Sequence, residues 1–376
     1  MKSAERRTQL EHPAPRPRSR DPWLHGLVRG RRDDVNRRTF LRLAAAGLSS
    51  AFIPLAELGC AKKLSQQLGA SSTPTPDQPF TRVDDWYYVS IVDPAPRDLE
   101  HYRLKIGGIV DNGLSLSVPA LRTRFENVVV PITLACVGNP PEGSLVSAGY
   151  FRGVRVRDVL DAAKLSDRAE AAIITGLDGF VALQSIKELL RPESIFAFDM
   201  GRSPAELEPL PVVHGFPLRI MTPGLYGYMQ PKWIDTVTIA DQRGYQDVLR
   251  GSIEYLKGHI QLASGFSHPF EGQFIQPGHT NVVGYSFGDG RPISFVDVRI
   301  DGGPWQRAEI VFNTPFDDMP PWVWVVWVFR WDAEPGERTL EARATYTDGV
   351  TQFEGHRFPY SGGTIPRIPV TVGPHR

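Results

Sequence analysis

The residue with the most distinctive chemistry is Cys136, one of two cysteines in this chain. It closes an apolar, strand-like run that begins at Pro131 and breaks into Gly138, Asn139 and two prolines. A thiol at the end of a strand is held by a rigid element, and its thiolate is a soft metal ligand or an activated nucleophile. A thiol that only fills space in the core is the alternative, because most single cysteines behave as small hydrophobes.

The N-terminal segment has the order of an export signal. A polar stretch ends at Arg37 and Arg38, Phe40 and Leu41 follow, and residues 43–58 are mostly apolar. This order is typical of a twin-arginine signal, and the apolar run is shorter than the roughly 20 residues of a membrane helix. We therefore expect residues 1–60 to be read by the twin-arginine export machinery and the protein to be periplasmic or extracytoplasmic. A chance arginine pair before a short buried helix is the alternative.

The second cysteine, Cys60, ends this leader and is a candidate lipid-attachment residue, which would anchor the chain to a membrane at its N-terminus. Glu57 stands where such attachment boxes usually have an apolar residue, so plain cleavage and an uncleaved anchor stay open. Residues 61–79 are rich in Ser, Gln, Thr and Pro. That composition predicts a flexible linker.

Length and composition set the frame for the rest. The 376 residues exceed one typical core and favour two domains, and 41% apolar residues suffice for packed interiors. Lys plus Arg and Asp plus Glu both number 42, so no net field favours nucleic acid, and we expect none as a partner. Two cysteines are too few for a disulfide framework or a multi-cysteine iron–sulfur site.

The first folded part mixes short strands and helices, which predicts an α+β class. Strand patterns cover residues 102–110, 128–137, 171–175 and 212–221. Residues 155–165 carry Val156, Val159, Leu160 and Ala163 at the spacing of one helix face.

The second part, from about Pro269, has almost no helical periodicity. Strand patterns at 281–287, 293–300 and 339–346 are separated by Asp-Gly turns, which predicts a β-sandwich. One short stretch contains Trp322, Trp324, Trp327 and Trp331. A core strand packed on the opposite sheet is the favoured interpretation, and a partner interface is the alternative.

Several segments, in order, resemble one enzyme family. They are residues 132–139, 151–160, 214–219, 223–229, 232–233, 298–305 and 344–350. From about Phe80 to Pro369 the chain resembles the sulfite oxidase family of molybdenum–molybdopterin oxidoreductases. The resemblance implies a mixed α/β molybdopterin-binding domain over residues 80–266, with a sulfite oxidase-like fold, followed by an immunoglobulin-like β-sandwich over 267–376.

The resemblance also implies a cofactor site. In this family molybdenum is held by two pterin sulfurs and one cysteine, which makes Cys136 the protein ligand to the metal of Mo-molybdopterin and a catalytic residue. The cofactor-contact residues that it implies are Asp178, His214, Arg219, Gln230 and Lys232. Each has a plainer alternative: a turn for the aspartate, a strand end for the histidine, and solvated surface side chains for the other three.

Departures from the family pattern bear on the substrate. Sulfite-oxidising members surround the anion with arginines, because a doubly charged oxyanion needs charge-assisted donors. Here Pro140 and Pro141 follow the cysteine segment, residues 84–90 lack an Arg-Asn-His triplet, Phe180 replaces a tyrosine, and residues 264–267 lack an arginine. We therefore expect a less charged pocket lined by aromatic side chains, with core packing as the alternative for each. These are Trp86, Tyr87, Phe151, Phe180, Tyr226 and Tyr228.

Together these features predict an exported molybdenum enzyme for two-electron oxygen-atom transfer on a neutral S- or N-oxide or another small molecule. Its electrons would pass singly to or from an external haem carrier or a membrane redox subunit. Sulfite oxidation, with electrons passed to a c-type cytochrome, is the alternative within the class. A non-catalytic exported binding lipoprotein is the alternative outside it. The second domain resembles one that dimerises in the family, which adds a homodimer to the expectations.

Overall fold

A computed structural model describes residues 73–89, 100–141, 143–244, 258–312, 322–354 and 363–373. The expected twin-arginine segment, Cys60 and most of the expected linker lie outside these residues. Within the described ranges, no helix combines the length and apolarity that crossing a membrane requires.

The first sheet has five strands in the order β2-β1-β10-β5-β6. Their bounds are β1 Leu104–Gly108, β2 Leu114–Leu116, β5 Ala171–Gly176, β6 Val181–Ser185 and β10 Ile234–Ala240. The β1–β10 pair is parallel and the other pairs are antiparallel. Parallel neighbours need a long crossover, and the chain between β1 and β10 uses that crossover to build a second sheet.

The second sheet follows the order β3-β4-β7-β8, and β9 also pairs with β7. Its strands are β3 Asn127–Ala135, β4 Val146–Arg155, β7 Ile195–Gly201, β8 Glu208–Pro209 and β9 Arg219–Met221. All seven residues of β7 are buried, so the sheet is covered on both faces. β3 and β4 stay in register up to the pair Ala135–Val146, and Cys136 follows at this end.

Among the described residues, three helices lie beside these sheets: α1 Val118–Arg124, α2 Val156–Ala163 and α3 Ile186–Leu189. The hydroxyl of Ser117 accepts from the Ala120 N–H and caps α1. The four apolar residues predicted to share one face of α2 are all fully buried, which confirms that helix. Short 3₁₀ turns occur at Val83–Asp85, Val212–His214 and Gly227–Met229.

A β-sandwich forms the rest of the described chain. One sheet has the order β11-β13-β17-β16, and the other has β12-β19-β18-β14-β15. The strands are β11 Ala263–His268, β12 Phe274–Ile275, β13 Gly278–Phe287, β14 Ile293–Ile300, β15 Gln306–Arg307, β16 Glu309–Phe312, β17 Val325–Ala333, β18 Gly336–Tyr346 and β19 Arg367–Val372. β11 pairs with β13, so sandwich pairing begins at Ala263, shortly before the predicted boundary. The α+β class and the sandwich are confirmed.

Trp324, Trp327 and Trp331 are buried, as the favoured interpretation predicted, whereas Trp322 is half-buried. Trp327 and Trp331 pack between the two sandwich sheets, and Trp324 is fully buried against Ala135 of β3. The Thr133 N–H donates to the Trp322 carbonyl at 2.8 Å, and the Trp324 N–H donates to the Thr133 hydroxyl at 2.8 Å. The end of β3 that leads into Cys136 is therefore braced by the sandwich.

The predicted strand over residues 212–221 is wrong. A 3₁₀ turn occupies Val212–His214, and only Arg219–Met221 form a strand, β9. Gly215 lies at φ 114°, where residues with a side chain are disfavoured, and Pro217 has no N–H to donate to a ladder. The apolar run hid this break.

Candidate functional site

Cys136 lies at the first turn after β3, in a loop that hydrogen bonds close. Its N–H donates to the Leu145 carbonyl at 2.9 Å, and its carbonyl accepts from the Asn139 N–H at 3.1 Å. The Asn139 side-chain oxygen accepts from the Leu145 N–H at 2.8 Å. Burial raises the pKa of the Cys136 thiol, and the Gly138 N–H partly offsets this. The thiol is half-buried and held by a rigid turn.

Tyr87 brings its phenol close to this thiol. Burial, and then the Cys136 charge, raise the pKa of the phenol well above its usual value, while the Arg219 charge opposes them. A first side-chain carbon at Gly227 would lie 3.0 Å from the phenol oxygen and 3.5 Å from the Ala135 carbonyl oxygen. Glycine at 227 therefore leaves room for the phenol beside the residue that precedes the cysteine.

Arg219 is a buried cation with no acidic hydrogen-bond partner among the described residues. It begins β9, and only 3% of it is exposed. Its Nη1 donates to the His214 carbonyl at 3.0 Å and its Nη2 to the Gln230 carbonyl at 3.3 Å. Its buried Nε has no hydrogen-bond partner among the described residues. Burial lowers the pKa of the guanidinium to about 10, so a ligand that supplies negative charge or acceptors here relieves a real electrostatic cost.

His214 is held neutral at this site. Burial first, and then the charges of Arg219 and Lys232, lower its pKa to about 3, while a hydrogen bond to the Val83 backbone opposes this. The Trp86 and Tyr88 rings face the imidazole edge-on at 6.4 and 6.2 Å between centroids. At neutral pH the imidazole is therefore a polar but uncharged group.

Lys232 completes a pair of cations with Arg219. Its Nζ donates to the Val89 carbonyl at 3.1 Å and to the Val213 carbonyl at 3.0 Å. Burial, and then the Arg219 charge, lower the pKa of Lys232 to about 7, while Asp178 raises it. The next residue, Trp233, has a left-handed φ of 53° and donates its indole N–H to the Val212 carbonyl at 2.7 Å. Such backbone strain is typical of functional sites.

Asp178 lies in the turn between β5 and β6, close enough for its charge to act on Lys232. Its Oδ1 accepts from the Phe180 N–H at 3.1 Å. A side-chain carbon at Gly176 would lie 2.5 Å from that oxygen and 2.8 Å from the Lys232 carbonyl oxygen. Asp178 is therefore a turn residue, as the plainer alternative had it, and it also lies near Lys232 at the site.

The Gln230 side chain is buried and holds a backbone loop in place. Its side-chain oxygen accepts from the Thr222 N–H at 2.8 Å, and its amide donates to the Leu225 carbonyl at 2.6 Å. Only 1% of the residue is exposed, so the surface alternative is wrong. Gln184 performs a similar task from β6, where its side-chain oxygen accepts from the Thr222 hydroxyl at 2.8 Å. The alternation of buried and partly exposed residues along β6 does not distinguish Gln184 from its neighbours, so the sequence did not predict this role.

Three of the six aromatic residues expected to line a pocket belong to the core instead. Trp86, Phe151 and Tyr226 are at most 1% exposed. Trp86 meets Phe151 edge-on at 5.3 Å, and the Tyr226 hydroxyl accepts from the Gln261 N–H at 3.1 Å. Large rings bury more apolar area in a core than at a polar site. Tyr87, Phe180 and Tyr228 are half-buried, and Tyr87 is the one beside the thiol.

The segment 264–267 is also elsewhere than expected. The Ser264 hydroxyl bonds to Ser286 and to Gln352, both at 2.8 Å. These partners belong to the sandwich interior. The missing arginine at this segment therefore says nothing about charge beside Cys136.

The side chains present fit a cofactor that brings its own donor atoms. Across the described ranges, no three or more His, Cys, Asp or Glu side chains lie together as a metal cluster. A metal at Cys136 would thus take its other ligands from outside these side chains. The unpaired Arg219 Nε and the depressed pKa of Lys232 suit an anionic partner rich in acceptors. Gly138 and Gly227 keep the space beside the thiol and Tyr87 free of side chains.

Most of the site residues lie in a part of the chain that is similar to known proteins. A model of the oxidoreductase molybdopterin-binding domain matches residues 92–247. Mitochondrial sulfite oxidase of Mus musculus is 28% identical over 283 residues, which cover 63% of this chain and 50% of that protein. Sulfite oxidase of Gallus gallus is 28% identical over 281 residues, covering 62% and 59%. The chain spans about half the length of these curated relatives.

The fold has a solved counterpart. The sulfane dehydrogenase SoxCD from Paracoccus pantotrophus has a TM-score of 0.66 and 19% identity, covering 81% of this chain and 83% of that chain. The fold and the thiol site thus define a molybdopterin-binding oxidoreductase domain followed by a β-rich domain. These similarities support a molybdopterin oxidoreductase of the sulfite oxidase family, with Mo-molybdopterin as its cofactor. The expected family, fold and cofactor are confirmed.

Proposed function

We propose that this protein catalyses two-electron oxygen-atom transfer on a neutral S- or N-oxide or another small molecule. The observation that carries the proposal is one half-buried thiol, Cys136, beside the Tyr87 phenol, together with the buried Arg219, whose Nε has no partner among the described residues. Molybdenum in the pterin supplies the two-electron chemistry when bound. Reduction of an oxide consumes two electrons and two protons and yields the reduced compound and water.

The chain's own residues have separable roles in this proposal. Cys136 holds the metal, and Arg219 and Lys232 bind the anionic and heteroatom-rich parts of the pterin. His214 stays uncharged, because burial and both cations lower its pKa to about 3. Asp178 moderates the charge of Lys232. Gln230 holds the Thr222–Leu225 loop in place, so we assign it support of the site rather than direct contact.

The hydrogen bonds that Arg219 and Lys232 already make favour a neutral substrate over a doubly charged one. Both Nη atoms of Arg219 and the Nζ of Lys232 already donate to backbone carbonyls. A doubly charged anion needs several further charge-assisted donors, whereas a neutral oxide needs one hydrogen-bond donor at its oxygen.

Sulfite oxidation is the second candidate, because the relatives from Mus musculus and Gallus gallus are named sulfite oxidases. The two reactions separate in parallel assays of the loaded enzyme. One assay supplies sulfoxides or N-oxides with reduced viologen, and the other supplies sulfite with ferricyanide. Oxide reduction well above sulfite oxidation supports the proposal. Robust sulfite oxidation with inert oxides contradicts it.

We also propose an external haem carrier or a membrane redox subunit as the electron partner, since two-electron chemistry at the metal must be coupled to single-electron exchange. Stopped-flow mixing of reduced c-type cytochrome with the loaded enzyme and an oxide tests this. Reoxidation of the haem that depends on both components supports the partner. Haem that stays reduced contradicts it.

Export by the twin-arginine route remains our proposal for localisation, on the strength of Arg37, Arg38 and the apolar run after them. Changing both arginines to lysine should retain the protein in the cytoplasm, while changing Arg31 and Arg32 in the same way should not. Fractionation with immunoblotting measures both. Export of the Arg37→Lys, Arg38→Lys variant would contradict this proposal.

A further inference from the structure

The Tyr87 hydroxyl lies at the site, beside Gly227 and the residue before Cys136, and has no part in the proposed binding of the cofactor. The structure gives this hydroxyl no hydrogen-bond partner among the described residues, whereas the Tyr87 N–H donates to the Ser147 hydroxyl at 3.2 Å. Ser147 is fully buried in β4 and pairs with Leu134 of β3. The tyrosine backbone is thus fastened to the strand pair that presents Cys136.

The direction of the phenol is fixed from both sides. Its oxygen lies against Gly227, and the space there also borders the carbonyl oxygen of Ala135, next to the cysteine. The preceding Trp86 is locked in the core and donates its indole N–H to the Thr81 carbonyl at 3.2 Å. The following Tyr88 turns instead toward His214 and Lys232. Only Tyr87 of this aromatic triplet is beside the thiol.

The surroundings of the hydroxyl favour donation. Arg219 is the cation whose charge acts on Tyr87, and its buried Nε also lacks a partner. A phenol and a guanidinium that interact electrostatically, each with a donor that has no partner among the described residues, suit a ligand with acceptor atoms. A phenol can donate to a neutral oxide oxygen without imposing a charge on it.

We propose that Tyr87 is a substrate-positioning and specificity-determining residue, whose hydroxyl donates a hydrogen bond to the oxide oxygen of a neutral S- or N-oxide beside Cys136. This inference rests on the proposed function and deepens it. One fixed donor selects a polar oxygen but does not balance the charge of an oxyanion, which favours neutral oxides over sulfite.

The test compares Tyr87→Phe with Tyr150→Phe in the full, loaded protein. Both changes remove one hydroxyl, and Tyr150 packs on Phe80, 4.7 Å between ring centroids, outside the site. Molybdenum and pterin content is measured first. We expect Tyr87→Phe to load like the native protein but to lose about 10–100-fold in kcat/KM for dimethyl sulfoxide and trimethylamine N-oxide, mostly through KM. Tyr150→Phe should match the native enzyme.

A second readout is independent of turnover. Electron paramagnetic resonance of the one-electron-reduced metal, recorded in H₂O and in D₂O, detects exchangeable protons near it. Tyr87→Phe should lose part of the H₂O–D₂O difference, and Tyr150→Phe should keep all of it. Native kcat/KM with an unchanged H₂O–D₂O difference would overturn the inference. Loss of the metal or pterin in Tyr87→Phe would overturn it as well, because Tyr87 would then serve cofactor loading.

The two proposals fail separately. Native enzyme that is fully loaded, inert with oxides and active with sulfite overturns oxide reduction as the function. In that event the role of Tyr87 is judged from the H₂O–D₂O difference in the resonance spectrum. A smaller difference in Tyr87→Phe than in the native enzyme supports Tyr87 as a donor beside the metal. An equal difference in the two proteins contradicts that role.

Discussion

At the residue scale, the site is defined by two cations that the protein buries, Arg219 and Lys232. Arg219 and Lys232 have pKa values lowered to about 10 and about 7, in both cases chiefly by burial. Such groups cost stability when no ligand is present, because desolvation disfavours the charged form. An anionic cofactor bound beside these two cations would offset that cost. Cofactor binding is therefore expected to stabilise the folded protein.

Replacing Arg219 should separate loading from folding. We expect Arg219→Gln to lose most bound pterin and molybdenum, because the buried guanidinium acts electrostatically on Tyr87 and its Nε has no partner among the described residues. The thermal stability of the cofactor-free variant should stay equal or rise, since a buried charge is removed. Cofactor analysis and thermal melts measure both.

Arg202→Gln is the matched control, because Arg202 is exposed and pairs with Glu206 at the surface. It should load normally. An Arg219→Gln variant that binds as much pterin as this control would contradict the assignment.

The lowered pKa of His214 predicts how the folding stability of the cofactor-free protein changes with pH. Its pKa is about 3 in the folded chain, against 6.5 ordinarily. Below pH 6.5 the unfolded chain therefore takes up a proton that the folded chain refuses, and stability falls as the pH drops toward 3. The contribution approaches about 1.4 kcal/mol per pH unit. Urea unfolding between pH 7 and 4 should show a shallower loss for His214→Gln, and parallel curves would contradict this.

At the element scale, the end of β3 matters most, because it positions the thiol. The sequence predicted this strand and α2 well, since long apolar runs and one-sided spacing are strong signals. It failed at residues 212–221, where an apolar run conceals a turn that Gly215 and Pro217 impose. It did not find the support from Gln184, and it gave the core position of Trp86 only as the alternative, because both depend on contacts far along the chain. Periodicity alone did not select Cys136, Arg219 and Lys232 as cofactor contacts. They were selected because several segments that resemble the family occur in the family's order.

Thr133 tests the brace between β3 and the sandwich. Thr133→Val keeps the shape but leaves the buried Trp324 N–H without its acceptor, now 2.8 Å away. We expect a loss of about 1–3 kcal/mol in unfolding free energy. Denaturant titration measures it.

Thr123→Val is the control, because the Thr123 hydroxyl is exposed and bonds within α1. It should change stability little. Equal stabilities of the two variants would show that the brace contributes nothing.

At the scale of the whole molecule, the two parts share one interface behind the site. Trp324 of the sandwich packs with Ala135 and Tyr226, so one cluster links the thiol strand, the loop after β9 and the second domain. The Tyr228 hydroxyl also accepts from the Gly258 N–H at 3.1 Å, at the start of the segment that leads to the sandwich. The second domain therefore stabilises the geometry of the first. Composition and turn spacing predicted its β class, but no local pattern could reveal this interface.

The most direct test of the account is the molybdenum-to-protein ratio of the native chain and of Cys136→Ser, purified side by side from cells supplied with molybdate. Metal analysis by mass spectrometry and fluorescence of the oxidised pterin give the two contents. We predict stoichiometric metal and pterin in the native protein and loss of the metal in Cys136→Ser, because a serine hydroxyl does not replace a soft thiolate. Native protein that holds neither metal nor pterin, or a serine variant that keeps its metal, would contradict the account.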